Sequence, residues 1–187
     1  MSMKRILFGF AFCALALSGC AAPYYGENEM RASLEAPYRL SSGDRLRVIV
    51  FGQDNLTNSF SVNSAGNISL PVIGDLHAEG LTTAELASTV EARYRGGYLR
   101  DPKVSAEVEA FRPFFALGEV TTAGQYPFVN GMTAQTAVAI AGGFTPRGDQ
   151  TGVDLTRVID GRPVTAHVPL TFPIRPGDTV TVKERFF

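Results

Sequence analysis

Few residues of this 187-residue chain have types that could support acid–base chemistry. The two histidines, His77 and His167, are far apart in sequence, and neither has the spacing of a metal-ligand motif. Glu107 and Glu109 share one face of a predicted strand, so they could imitate the carboxylate pair of a glycoside hydrolase. Alternating glutamates are more often the solvated side of a strand, and the sequence has no nucleophile elbow or phosphate-binding loop. The sequence therefore predicts a protein that is not an enzyme, with no metal site and no cofactor.

The amino terminus has the order of a secretory signal peptide. Lys4 and Arg5 precede an apolar run over residues 6–17, which is followed by small residues. A membrane-spanning helix needs roughly 20 apolar residues, so a permanent anchor helix is the weaker alternative. We therefore expect residues 1–19 to be removed.

One cysteine is positioned for lipid attachment. Residues 17–20, Leu-Ser-Gly-Cys, resemble the lipobox of bacterial lipoproteins, in which the cysteine thiol is alkylated with diacylglycerol before cleavage. Cys20 would then be the first residue of the mature chain, anchored by its acyl chains in lipid. Ala21 stands where many lipoproteins retained in the inner membrane have Asp, so the resemblance favours the outer membrane. Cys13 leaves with the signal peptide, so we expect no disulfide and no cysteine metal site.

The charge and composition exclude some partners. The formal net charge is −1, and losing Lys4 and Arg5 with the signal peptide makes the mature chain about −3. This near-neutral, slightly negative charge does not favour binding of nucleic acid. Net charge alone would not favour binding of anionic sugar polymers either. With 19 Gly, 11 Pro and no Trp, the composition predicts short strands joined by many turns.

The pattern of elements predicts an α+β protein with two compact units that meet near Arg112 and Pro113. The first unit has strands near residues 45–50, 60–62, 68–70 and 104–110, the second and third of which are predicted to form a hairpin. Its helix begins with a Thr82-to-Glu85 capping box and ends at a glycine pair, residues 96–97. The second unit has strands near 115–120, 125–129, 153–159, 164–168 and 180–182, and a helix over 134–141 that Thr133 could cap. Asp160-Gly161 predicts the turn of its central hairpin.

Residues 38–48 can be aligned with residues 172–182. The alignment places Gly43-Asp44 over Gly177-Asp178 and matches aromatic and aliphatic positions around them. The similarity indicates either a shared local structure or the ordinary appearance of a junction between a turn and a strand. The sequence leaves both alternatives open.

The motifs of both units resemble those of outer-membrane polysaccharide export proteins. In the first unit these are Tyr-Arg-Leu at 38–40 with Gly-Asp at 43–44, the segment 66–74, Gly-Leu-Thr at 80–82 and Tyr-Leu-Arg-Asp-Pro-Lys-Val at 98–104. The second unit is similar to the soluble-ligand-binding β-grasp (SLBB) domain through segments 118–120, 124–126, 131–133, 139–145 and 174–180. The resemblance implies a β-rich polysaccharide export domain with one helix, followed by one β-grasp domain.

The residue patterns and the resemblance together predict four consecutive regions. These are a signal peptide over 1–19, a lipidated tether over 20–37, the polysaccharide export domain over 38–112 and the SLBB-like domain over 113–187. We expect the tether to lack regular structure and folded structure to begin near Tyr38.

The function implied by the resemblance is export of capsular or exopolysaccharide. A homo-oligomeric ring on the periplasmic face of the outer membrane would pass polysaccharide from an inner-membrane co-polymerase toward the cell surface. Pore-forming members continue into a membrane-crossing amphipathic helix, whereas this sequence stops at Phe187. We therefore expect a separate outer-membrane channel protein to complete the passage. The alternative is a lipoprotein scaffold that binds glycan or peptidoglycan without a transport role.

Overall fold

The computed structural model describes residues 25–185, which form an α+β fold. Within this part of the chain there are three helices and ten strands. The strands form a three-stranded sheet in the order β2-β1-β5, a five-stranded sheet in the order β7-β6-β10-β8-β9 and a pair, β3-β4. The elements in chain order are α1 Tyr25–Glu35, β1 Arg45–Val50, β2 Asn58–Ser61, β3 Asn67–Leu70, β4 Gly74–His77, α2 Thr83–Arg95, β5 Val104–Ala110, β6 Phe114–Gly118, β7 Gly124–Tyr126, α3 Ala134–Ile140, β8 Val153–Ile159, β9 Arg162–Val168 and β10 Thr179–Val182.

The first hydrophobic core lies between α2 and the three-stranded sheet. Strand β1 alternates between exposed and buried positions, which places Leu46, Val48 and Val50 inside. Helix α2 begins with the predicted capping box, because Thr82 and Glu85 accept hydrogen bonds from each other's backbone N–H groups. Its predicted apolar stripe, Leu86, Val90 and Tyr94, is fully buried.

The predicted hairpin between residues 60–62 and 68–70 is wrong. Strand β2 pairs with β1, and β3 pairs with β4 instead. The turn between β2 and β3 is real: the Asn63 side chain accepts hydrogen bonds from the backbone N–H groups of Ala65 and Asn67. After that turn the chain forms a separate pair of strands. A second tight turn, directly after Leu70, brings β4 back against β3.

The second hydrophobic core lies under the five-stranded sheet and is covered by α3. Strand β10 runs parallel to β6 and antiparallel to β8, so the last strand of the chain lies in the middle of the sheet. The predicted hairpin joins β8 to β9, and Asp160 and Gly161 both have positive φ, as a two-residue hairpin turn requires. Thr133 caps α3 as predicted. This arrangement of five strands and one helix is β-grasp-like.

Residues 25–35 are not the unstructured segment expected from the sequence. They form α1, which packs against β9, and Met30 is fully buried in the second core. Gly26 lies close to the strand, since a Cβ on it would meet the Thr165 carbonyl oxygen at 2.6 Å. The helix depends on these tertiary contacts, which explains why local periodicity did not predict it. Folded structure therefore begins before Tyr38.

Position 118 requires glycine, because β6 passes close to β10 there. Its φ is +78°, and a Cβ there would collide with the carbonyl oxygen of Val182. We expect Gly118→Ala to lower the free energy of unfolding by about 3 kcal/mol or more, because left-handed strain adds to the collision. The matched control is Gly131→Ala, where φ is +85° but no neighbour lies within 4 Å. It should cost only about 1 kcal/mol. Urea unfolding midpoints would measure both, and equal losses would contradict the close approach.

Candidate functional site

The Gly43-Asp44 turn positions a buried carboxylate at the end of the first domain. Gly43 has a φ of +93°, and Asp44 is fully buried. The carboxylate of Asp44 accepts hydrogen bonds from the Ser41 backbone N–H at 2.9 Å and the Tyr38 hydroxyl at 2.6 Å. Strand β1 starts directly after this aspartate.

The Gly177-Asp178 turn has the same local structure in the second domain. Gly177 has a φ of +84°, Asp178 is 1% exposed, and its carboxylate accepts a hydrogen bond from the Arg175 backbone N–H at 2.7 Å. In both turns the aspartate N–H also donates to the carbonyl three residues earlier, at 3.1 Å. Strand β10 starts directly after Asp178. The aligned segments therefore share a structure as well as a pattern.

The two turns meet at the three-residue junction between β5 and β6. The backbone N–H of Arg112 donates to Asp44 at 2.9 Å, and the carbonyl of Pro113 accepts from the backbone N–H of Gly177 at 3.1 Å. The Arg112 side chain lies against Gly177, where a Cβ would be 2.6 Å from its Nε atom. Each domain thus uses its own glycine–aspartate turn to hold the connecting segment.

Aromatic rings extend this contact across the junction. Tyr38 packs edge-on against Phe111 at 5.1 Å between centroids, and Phe111 packs in the same way against Phe128 at 5.6 Å. The Arg112 guanidinium lies 5.7 Å from the centre of the Tyr38 ring and donates to its hydroxyl at 2.9 Å.

Two arginines of the second domain bind the carboxyl end of α1. Arg157 forms a bidentate pair with Asp178, at 2.9 and 2.7 Å, and also donates to Ser33 Oγ at 2.7 Å. Arg175 Nη2 donates to the carbonyl oxygens of Leu34 and Ala36, both at 2.8 Å. Cations favour the carboxyl end of a helix because its last carbonyl groups lack intrahelical donors. The amino-terminal helix is therefore joined to the interdomain junction through Asp178.

Burial controls the protonation of these groups. Burial raises the pKa of Tyr38, and its hydrogen bond to Asp44 raises that pKa further, so the hydroxyl remains a donor. Burial also raises the pKa of Asp178, while the hydrogen bonds from Arg157 act in the opposite direction. For Arg175, burial and the nearby charge of Arg157 lower the pKa from its ordinary value.

Two cavities flank the junction. The first, of about 530 Å³, lies between α1, the β8–β9 turn and the Arg112 side chain. The second, of about 660 Å³, lies between the two domains and is lined by the three aromatic residues of the junction, Tyr38, Phe111 and Phe128. Both volumes fall in the range of small-molecule sites.

The residues considered from the sequence lie elsewhere. Cys20, the predicted lipid attachment site, falls outside the described residues. Glu109 accepts a hydrogen bond from Arg45 at 2.7 Å, which lowers its pKa, whereas a general acid needs a raised one. His77 lies 3.0 Å from Asn67 and His167 lies 3.0 Å from Asp154, measured from Nδ1. Across residues 25–185, no group of three or more metal-ligating side chains could hold an ion.

Sequence reasoning missed the arginines of this site, although one signal was available. Strand β8 points Val153, Leu155 and Arg157 to the same inner face. A charged residue at the third inward position of a strand indicates a buried partner. The partner, Asp178, lay in the segment that the sequence alignment had already marked.

Comparison with known proteins identifies both domains. Residues 32–109 match the family described as polysaccharide biosynthesis/export protein, and residues 114–166 match the SLBB domain. The two matches together cover well over half of the chain and meet at the junction. The chain therefore belongs to the polysaccharide export family and carries an SLBB domain after its export domain.

Three curated relatives have related names. The exopolysaccharide production protein ExoF of Rhizobium meliloti is 36% identical over 119 residues, which covers 57% of this chain and 28% of that protein. The EPS I polysaccharide export outer membrane protein EpsA is 28% identical in Ralstonia nicotianae and in Ralstonia solanacearum, over 80% of this chain and 48% of each relative. The chain thus spans less than half the length of these relatives.

The buried ion pair between Arg157 and Asp178 should contribute more to the free energy of unfolding than the exposed ion pairs of the second domain. Arg157→Met leaves the Asp178 carboxylate buried without its partner, because the two side chains are only 6% and 1% exposed. We expect a loss of about 3–5 kcal/mol in the free energy of unfolding, measured by urea denaturation. The matched control is Arg147→Met, whose side chain is 68% exposed although it pairs with Glu119 and Glu184. It should cost much less than Arg157→Met because solvent screens exposed ion pairs, and a similar loss in both variants would contradict the assigned role.

Proposed function

We propose that this protein is a non-enzymatic component of a machine that exports capsular polysaccharide or exopolysaccharide, anchored through Cys20 to the periplasmic face of the outer membrane. The observation that carries the proposal is the succession of an export-family domain and an SLBB domain. The names of the relatives, which refer to exopolysaccharide production and to polysaccharide export at the outer membrane, support the same role.

In this role, a homo-oligomeric ring of the protein passes polysaccharide from an inner-membrane co-polymerase toward the cell surface. The hydrogen-bonded junction between the domains supports the proposal of a ring. Identical subunits close into a ring only if the two domains have the same relative orientation in each subunit. Asp44 and Gly177 supply that constraint by holding Arg112 and Pro113 in the connection between the domains. Across residues 25–185, no helix is long and apolar enough to cross a membrane.

A scaffold that binds glycan or peptidoglycan without transport is the second candidate. The two cavities at the junction favour it, since they offer sites for a ligand without requiring a channel.

Deleting the gene tests the export role. We expect surface polysaccharide to be lost and to return with the wild-type gene, because the subunit would be needed between the co-polymerase and the surface. Immunoblotting of surface and periplasmic polysaccharide would measure this. Surface polymer that stays at the wild-type amount would reject export. If other proteins were also lost from the peptidoglycan fraction of the deletion strain, the scaffold would be favoured.

Replacing Cys20 tests the lipid anchor. Cys20→Ser removes the thiol that would carry diacylglycerol, so incorporation of labelled palmitate should fall to background and the protein should leave the membrane fraction. Cys13→Ser is the matched control, since it changes a cysteine inside the predicted signal peptide and should leave the label unchanged. Palmitate that persists in Cys20→Ser would contradict the assignment.

A further inference from the structure

Arginine is concentrated around the cavity beside α1. Among the described residues that line it, five are arginines and two are acids, Glu29 and Asp160. The whole chain carries 17 basic and 18 acidic residues, so this concentration is local. A cleft lined mainly by charges of one sign raises the local concentration of ligands of the opposite sign.

The five arginines differ in how much of their charge is already paired. Arg157 is buried and neutralised by Asp178, and Arg112 lies 3.4 Å from Asp44. The exposed Arg39 donates to the Gly80 carbonyl at 2.6 Å and lies 3.6 Å from Glu85. These three guanidinium groups already have carboxylate neighbours.

Arg175 is different because no carboxylate of the described residues contacts its guanidinium, although the charge of Asp178 acts on it from farther away. Within residues 25–185, no carboxylate oxygen lies within 4.0 Å of its guanidinium, and only Nη2 has protein acceptors, the two carbonyls at the end of α1. Its Nε and Nη1 donors have none in that part of the chain. A half-buried guanidinium with a fixed position and free donors is suited to a planar carboxylate, which accepts two parallel hydrogen bonds.

A neighbouring donor faces the same cavity. Arg112 uses Nη1 for Tyr38 and Asp44, which leaves its Nη2 edge without a protein acceptor among the described residues. Arg112 and Arg175 both line this cavity together with Tyr38, to whose hydroxyl Arg112 Nη1 donates at 2.9 Å. Arg162 lies at the exposed side of the same cavity.

We propose that this cavity binds a carboxylate of an acidic saccharide, with Arg175 as the main donor, Arg112 as the second and Arg162 at the entrance. The assignment of a carboxylate rests on the arginine geometry. The assignment of a saccharide rests on the proposed export function. The ligand class is thus a carboxylate-bearing glycan, of which a uronic-acid oligomer is a simple example.

Calorimetric titration of the full chain in detergent micelles tests the proposal, with trigalacturonate as the probe. We expect trigalacturonate to bind and the neutral trisaccharide maltotriose not to bind. Raising the salt concentration from about 50 to about 500 mM should weaken binding severalfold, because the contact is between charges.

Variants identify the site. Arg175→Gln should weaken trigalacturonate binding about tenfold or more, since it removes charge-assisted hydrogen bonds. Arg162→Gln should weaken it severalfold and, as an exposed position, should not disturb α1. The matched control is Arg93→Gln, an exposed arginine on α2 outside the cavity, which should bind like the wild type. If Arg175→Gln loses helical circular dichroism, Arg162→Gln decides the result.

Three results would overturn the proposal. They are unchanged affinity in both cavity variants, equal binding of maltotriose, and displacement of trigalacturonate by inorganic phosphate at equal concentration, which would indicate a general anion site. None of them bears on gene deletion, so a failed titration with lost surface polymer rejects the acidic ligand and leaves export intact. A positive titration with unchanged surface polymer rejects export and leaves the carboxylate site.

Discussion

The burial of two aspartates is the constraint on which the rest of the structure depends. A carboxylate without solvent must receive hydrogen bonds or a counterion, so Asp44 and Asp178 each impose a fixed set of donors. Asp44 requires Tyr38, Ser41 and Arg112, while Asp178 requires Arg157 and Arg175. Because Arg112 belongs to the junction, satisfying one aspartate also fixes the connection between the domains.

The two turns also explain why the sheets start where they do. Each aspartate precedes a central strand, β1 or β10, and the chain between those sheets passes from β5 to β6 through three residues. With Arg112 bonded to one turn and Pro113 to the other, the junction has little freedom to bend. Two domains with separate cores therefore behave as one unit at this point.

Local signals in the sequence predicted many of the elements. The α2 capping box and the Asp160-Gly161 turn succeeded because neighbouring residues determine each of them. The existence of α1 was not predictable in this way, since it depends on residues distant in sequence. Arg157, for example, reaches Ser33 across more than a hundred positions. The pairing of β3 with β4 is local, but its turn places Val72 at a φ of +70°, which a β-branched residue rarely adopts and no sequence signal indicated. The candidate site was only half visible: the alignment of residues 38–48 with 172–182 marked the two turns but could not show that they meet.

The amino-terminal helix and the proposed ligand share one side chain. Arg175 gives the two donors of Nη2 to the end of α1, which fixes the guanidinium plane, and its remaining donors are left for the cavity. A free arginine side chain would lose rotamer entropy on binding, of about 2 kcal/mol, whereas one already held by a helix loses less. Docking of α1 therefore prepares the cavity for an anion. Since α1 starts five residues after Cys20, the segment that would follow the lipid anchor also shapes the proposed site.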